Sequence, residues 1–413
     1  MSEKQSGKKI VVIGGGPAGV FAAIEAKRAD PAAHVLLLTD EACEPYEKPP
    51  LSKAVLTGKA LPEHALIAGP KGTAAHNVVL ERTALATAID RAAREVVAAG
   101  GRRYRYDALV LATGSLVREL PQLPLGMRRV HYLRTEADAR ALAAALRQCK
   151  HLVVVGGGLI GLEAAASAAE LSVRTTVLEV APRILARVCD EETGAFVAKE
   201  HRRHGVEIRT GTTIASVQAA DDGITMTTAV DESFAADIVV VGTGVKPNDA
   251  LAGAAGLTTD DGIFVDEQCR TSDPAIFAAG DAVRFPAPHG LVRLENWRHA
   301  QDQGAVAGRN AAGASEVYRT VPSFWSEQYD LYIQGVGWAS PQPRQVERVR
   351  RLLAGKSMLL FEIADGVLVY AMGIDAQRDL AAARRLIERK IKVDVSALAD
   401  PNRPLASLLK ASV

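Results

Sequence analysis

The stretch Ile10-Val11-Val12-Ile13-Gly14-Gly15-Gly16-Pro17-Ala18-Gly19 decides the fold. Its four apolar residues predict a buried strand of a parallel sheet. Gly14, Gly16 and Gly19 follow at the G-x-G-x-x-G spacing, and Val20-Phe21-Ala22-Ala23 opens a helix. This arrangement allows a tight turn, a close backbone approach to a pyrophosphate and close packing of helix on strand. The helix N-terminus adds free N–H groups and partial positive charge. One such fingerprint is a weak signal. A second stands 142 positions later, Val153-Val154-Val155-Gly156-Gly157-Gly158-Leu159-Ile160-Gly161, again running into helix formers.

Each copy is followed by an apolar strand with an acid at its end: Val35-Leu36-Leu37-Leu38-Thr39-Asp40-Glu41 and Thr175-Thr176-Val177-Leu178-Glu179. A carboxylate about 20 residues past the third glycine is placed to accept ribose hydroxyls. The repeat extends to a closing strand in each half, Ala108-Leu109-Val110-Leu111-Ala112-Thr113-Gly114 and Ile238-Val239-Val240-Val241-Gly242-Thr243-Gly244. Two fingerprints predict two dinucleotides. The expected architecture is α/β: two Rossmann-like dinucleotide-binding domains, residues 118–246 inserted into a discontinuous domain of residues 1–117 and 247–320. From Val321 aromatic residues and apolar β-type runs gather, and a helix is expected from about Asp379 to Lys390, so residues 321–413 read as a C-terminal α+β domain.

Composition narrows the function classes. The 413 residues carry 49 Lys+Arg against 48 Asp+Glu, a net charge of +1 that makes no case for nucleic acid. No apolar run approaches the ~20 residues of a membrane span, and the polar first nine residues lack the core of a signal peptide. Cys43, Cys149, Cys189 and Cys269 are scattered, with no C-x-x-C and no zinc spacing. A cytoplasmic enzyme with no structural metal is expected.

The sequence resembles the FAD-dependent, NADH-oxidising ferredoxin reductases that serve Rieske oxygenases and bacterial P450s. The resemblance rests on Pro45-Tyr46-Glu47-Lys48-Pro49-Pro50-Leu51-Ser52-Lys53, Ala279-Gly280-Asp281, Glu295-Asn296-Trp297-Arg298-His299-Ala300-Gln301, Phe324-Trp325-Ser326-Glu327-Gln328-Tyr329 and Leu398-Ala399-Asp400-Pro401. It implies a glutathione-reductase-like fold and NADH:ferredoxin oxidoreductase activity. FAD would be held by Gly14, Gly16, Ala18 and Gly19, by Asp40 or Glu41 at the ribose, and by Lys48, Pro49, Thr113, Gly114, Arg118, Gly280, Asp281 and Trp297. Lys53 would tune the flavin, or be a solvated helix lysine. NADH would be held by Gly156, Gly158, Ile160, Gly161, Glu179 and Gly244. Glu179 favours NADH by repelling a 2′-phosphate, while Arg183 and Arg187 leave NADPH open. Glu163 would lie near the nicotinamide, or be an ordinary helix-face glutamate. Trp325 would line the electron exit, or anchor the core.

The resemblance further implies a small [2Fe–2S] ferredoxin, usually acidic, as partner, with no membrane or nucleic acid and a monomer or homodimer as the enzyme. Residues 341–413 carry 13 Lys/Arg against 8 Asp/Glu, an excess that suits an acidic partner or makes a solvated face. Two other readings stand: a single-cysteine disulfide or peroxide reductase using Cys43 with Lys48 as cationic neighbour, and a flavin-bearing interaction protein switched by NADH.

Overall fold

Lys9–Ile13 is a strand in which every residue after Lys9 is buried. Burial on both faces requires neighbours on both sides and helices above and below. The computed structural model supplies them; it describes residues 7–288, 290–339 and 346–410, and the polar N-terminal residues 1–6 lie outside the described residues. Lys9–Ile13 pairs with His34–Leu38 on one side and Ala108–Leu111 on the other, both parallel, with Ile13 opposite Leu38 and Leu111. Val79–Glu81 and Ile276–Ala278 extend this parallel sheet at its two edges.

The second fingerprint builds the same object. His151–Val155 pairs in parallel with Arg174–Leu178 and Ile238–Val241, and Val155 lies opposite Leu178 and Val241. Glu207–Arg209 and Val130–Tyr132 take the edges. The repeat is permuted at one place. The strand beyond the closing strand comes late in the chain in the first sheet, Ile276–Ala278, but ahead of the fingerprint in the second, Val130–Tyr132. Each half also carries a three-stranded antiparallel sheet before its closing strand, Ala86–Asp90 to Arg103–Arg105 and Ile214–Ala219 to Ser233–Ala236. In both parallel sheets the chain reverses direction across the sheet beside the glycine loop, where open α/β sheets bind ligands.

The chain divides into two compact units. One comprises residues up to Lys48 with Leu61–Leu116 and Val245–Thr320; the other comprises Pro49–Ala60, Val117–Gly244 and the chain from Val321 on. Pro49–Ala60 joins the second because Leu56 is buried in that unit's core and the Ser167 hydroxyl donates to the Ser52 carbonyl at 2.8 Å. The C-terminal region is an antiparallel sheet in the order Ser323–Gln328, Leu331–Gly337, Val367–Ile374, Met358–Ala364, Glu347–Leu352, followed by the helix Gln377–Glu388. Its inner face does not build a core apart: Leu331, Ile333, Tyr370, Met372 and Ile374 belong to one cluster with Leu152, Val154, Leu162 and Val177.

In the first unit two helices meet closely. Gly304 and Gly308 lie one turn apart on Trp297–Ala312 and face Ala18 and Ala22 of Pro17–Ala29. A Cβ added at Gly304 would stand 2.2 Å from the Ala18 carbonyl oxygen, and one at Gly308 2.0 Å from that of Ala22. Only small residues allow backbones this near.

Candidate dinucleotide and redox site

The first glycine loop has the geometry its spacing predicts. Gly14 has φ +117°, and a Cβ at Gly19 would fall 1.8 Å from the Gly14 carbonyl. Gly16 differs: a Cβ there meets nothing within 4 Å, so the space in front of the helix is open. Gly16 is also the N-cap, with no side-chain cap and no acid in the first turn. The helix therefore presents uncapped N–H groups and an unneutralised dipole to that space, the donor set a pyrophosphate requires. The second loop matches: Gly156 has φ +109°, a Cβ at Gly161 would fall 2.1 Å from the Gly156 carbonyl oxygen, and a Cβ at Gly158, which caps its helix without a side chain, would meet nothing within 4 Å. Ile160, in that first turn, is 48 % exposed.

The acids are not equivalent. Glu179 directly follows the strand Arg174–Leu178; its carboxylate accepts from the Gly157 N–H at 2.5 Å and the Ala181 N–H at 2.7 Å. In the first sheet the matching position holds Thr39, which is buried, and the acids come one and two residues later. Asp40 is exposed. Glu41 accepts from the Tyr46 hydroxyl at 2.5 Å and from Lys48 Nζ at 3.2 Å, with that ammonium 4.8 Å from the Tyr46 ring centroid. Arg183 donates to the carbonyls of Ile184, Leu185, Ala186, Cys189 and Asp190, so its guanidinium is committed to the loop after Glu179. Arg187 is exposed and reaches within 3.6 Å of the Cβ position of Gly244.

Pro49 starts the short helix Pro49–Ser52, and Lys53 follows it. The Lys53 ammonium lies 3.1 Å from the carboxylate of Glu163, whose side chain is only 2 % exposed. The Ser52 hydroxyl donates to the same carboxylate oxygen, and the Ser326 hydroxyl donates to the other at 2.6 Å. A buried carboxylate is tolerable only with such partners. Lys53 and Glu163 thus occupy one site, with two serines that sequence reasoning did not single out. The 110-residue separation of the ion pair left no local signal for it.

Other expected residues are placed as follows. Asp281 accepts from the Ser115 hydroxyl at 3.0 Å, and the Gly280 N–H donates to Gln303. Ala18 is buried against the close helix contact and Gly280. The Thr113 hydroxyl donates to the Asn248 carbonyl at 2.5 Å, beside Gly114 at φ +67°. Arg118 is exposed, its N–H donating to the Gly244 carbonyl. Trp297 opens its helix, which the Asn296 side chain caps, and donates its indole N–H to Glu47. Burial pushes the Glu47 carboxyl above its ordinary range, and that hydrogen bond opposes the shift. Trp325 is half-buried on the strand Ser323–Gln328.

The geometry describes two dinucleotide cradles in one chain. The family model described as pyridine nucleotide-disulphide oxidoreductase matches residues 8–304. The chain belongs to the pyridine nucleotide-disulphide oxidoreductases. Residues 323–409 match the reductase C-terminal model. The chain is 38 % identical over 408 residues to the ferredoxin–NAD(+) reductase component of the anthranilate 1,2-dioxygenase system of Burkholderia cepacia, covering 98 % of this chain and all of that one. It is 36 % identical to rhodocoxin reductase of Rhodococcus erythropolis, covering 95 % of this chain and 92 % of that. It superposes on the covalent putidaredoxin reductase–putidaredoxin complex with a TM-score of 0.91 at 32 % identity, covering 99 % of each chain. Members of this oxidoreductase family employ a flavin and a nicotinamide cofactor, and the paired open cradles fit both.

Three of the four cysteines are held in the thiol form by burial. Burial pushes the thiols of Cys149 and Cys189 up to about 11 and that of Cys269 higher still. Cys43 lies in a bend, not at a helix start where a dipole lowers a thiol. Among the described residues no group of three or more His, Cys, Asp or Glu is placed to hold a metal, and no helix is long and apolar enough to cross a membrane.

Proposed function

We propose that this protein is an NADH:ferredoxin oxidoreductase that holds FAD at Gly14–Gly19 and NADH at Gly156–Gly161, and reduces a small [2Fe–2S] ferredoxin serving a Rieske or P450 oxygenase. The observation that carries this reading is the pair of equivalent, uncapped glycine cradles in one chain, joined to a Lys53–Glu163 pair in the same chain. The relatives named above support the ferredoxin as electron acceptor. A flavin held there would supply hydride acceptance from a nicotinamide and release of electrons one at a time.

The chain's own residues bind, orient and tune. The helix N-termini behind Gly16 and Gly158 hold the pyrophosphates, and Glu179 accepts the adenosine ribose hydroxyls of NADH. A 2′-phosphate would meet the Glu179 carboxylate, while Arg183 is spent on backbone carbonyls, so NADH is preferred to NADPH. For the FAD ribose, exposed Asp40 is the free acid of the two, since Glu41 already serves Tyr46 and Lys48. Asp281, Thr113, Gly114, Arg118, Gly280 and Trp297 complete the FAD site; Ile160, Arg187 and Gly244 flank NADH; Trp325 lines the way out for electrons. Lys53 presents a cation that favours reduced flavin, and Glu163 holds the ammonium in place. No nucleophile is needed, because proximity and orientation carry the reaction. The protein would act in the cytoplasm.

Anaerobic titration of the purified protein with NADH, followed by addition of oxidised [2Fe–2S] ferredoxin, tests this. Bleaching of flavin absorbance and its return as ferredoxin is reduced is the expected result. A protein without flavin, or a reduced flavin inert to several ferredoxins, overturns it.

A further inference from the structure

Glu163 is one end of a longer file of buried polar groups. Ser326 and Gln328 alternate with Trp325 and Glu327 along one strand, so they share the inward face. Both are essentially without solvent contact, as is His201 on the helix Glu191–Arg203. Ser326 donates to Glu163 at 2.6 Å and accepts from the Gln328 side-chain amide at 3.1 Å. The Gln328 side-chain carbonyl lies 2.8 Å from His201 Nε2, and His201 Nδ1 lies 3.0 Å from the Tyr329 hydroxyl. His204 stacks on the Tyr329 ring at 3.8 Å at the outer end.

With His201 neutral and the Glu163 carboxylate accepting from both serines, one assignment of donors satisfies every member. Tyr329 donates to His201 Nδ1, His201 donates from Nε2 to Gln328, Gln328 donates to Ser326, and Ser326 donates to the carboxylate. Each dipole points at Glu163. The assignment requires His201 to be neutral, and burial holds its pKa down to about 4. Leucine and valine would fill this space without the cost of burying four polar side chains, and such a network is tolerated only when fully satisfied, as this one is.

We propose that Ser326, Gln328 and His201 are positioning residues, a hydrogen-bonded relay that fixes the Glu163 carboxylate and, through it, the Lys53 ammonium. The proposal rests on the redox role given above for Lys53 and Glu163. The relay ties the site at Glu163 to the same strand that carries Trp325.

The test uses the full-length, flavin-loaded protein and the variants S326A and S326T, with Q328L as a second break in the relay. The first readout needs no nicotinamide: acylation of Lys53 by an N-hydroxysuccinimide ester, followed by peptide mass spectrometry. S326A and Q328L are expected to raise the Lys53 modification rate severalfold, and S326T, which keeps the hydroxyl, to restore it. The second readout is flavin bleaching by NADH on rapid anaerobic mixing. It should slow by about ten- to a hundredfold in S326A, the effect of a small misplacement in a reacting geometry, with NADH affinity unchanged, and recover in S326T. Wild-type Lys53 reactivity in S326A overturns the relay, as does equal loss in S326A and S326T, which marks a packing role. If wild-type flavin is not bleached by NADH, the redox reading fails while Lys53 acylation still decides the relay.

Discussion

At the scale of the residue, the two cradles separate stability from binding. Gly16 and Gly158 have ordinary backbone angles and open space where a Cβ would stand. G16A is therefore expected to fold with the thermal stability of the flavin-free wild type but to purify with little or no flavin, read by its visible spectrum. G158A should keep its flavin and lose NADH affinity, read by titration. Gly19 behaves otherwise, because its Cβ would collide with a backbone carbonyl and the fold itself would yield. Glu179 is the second case. Its carboxylate accepts two backbone N–H groups, so removing it costs the loop's shape and, on the function proposed above, a ribose partner. E179A is expected to weaken NADH by about tenfold, a loss of roughly 1.4 kcal/mol, and to narrow the preference over NADPH, measured as the ratio of kcat/KM values. The spacing of the glycines made these positions legible, since every member of the motif is local. The choice between Asp40 and Glu41 was not legible, because it turns on Tyr46 and Lys48 closing over one of them.

At the scale of the element, the contact of Pro17–Ala29 with Trp297–Ala312 depends on small residues at matching heights. G308A would drive a methyl into the Ala22 carbonyl 2.0 Å away. The helices must part, at a cost of about 1–3 kcal/mol, measurable as a lower denaturation midpoint without a changed slope. The glycines of Trp297–Ala312 are visible in the sequence, but nothing local says that Ala18 and Ala22, each 286 positions earlier (304 − 18 and 308 − 22), will lie against them. Burial of histidines on two helices gives a pH dependence. His201 sits near 4 and His299, stacked on Phe285, near 3, both because burial disfavours the charged ring. The unfolded chain binds these protons near the ordinary 6.5. Their contribution is therefore whole above pH 6.5 and is lost as pH falls toward 4, by about 3 kcal/mol for His201. Urea unfolding at pH 7 and pH 5 should show the protein weaker at pH 5; equal stability would count against a neutral His201 in the folded state.

At the scale of the whole molecule, an almost balanced charge conceals an uneven one. The net charge is +1, yet residues 341–413 carry an excess of five basic groups. Several are already paired within the second unit, Arg348 with Glu362, Arg350 with Asp190 and Lys356 with Glu200. A basic field acting on an acidic ferredoxin speeds encounter and is screened by salt. Ferredoxin reduction at limiting partner concentration is expected to slow severalfold between low and physiological ionic strength, while flavin bleaching by NADH stays constant. Slowing of both together would place the salt effect inside the enzyme.

What the sequence determined by itself was whatever is written in neighbouring residues: two glycine fingerprints, the strands that feed them, the acids that follow, and the insertion of one repeat within another. Those features depend on backbone sterics and short-range periodicity, which a stretch of some 30 residues carries whole. The tertiary structure alone decided the rest. It merged one face of the C-terminal sheet into the core of the second repeat, assigned Pro49–Ala60 to that unit, and brought Glu163, Ser326 and His201 into one buried file with Lys53 at its end. Each of these rests on contacts between residues far apart in the chain, whose partners are chosen by the free energy of burying a polar group with its complement, a quantity that no single segment contains.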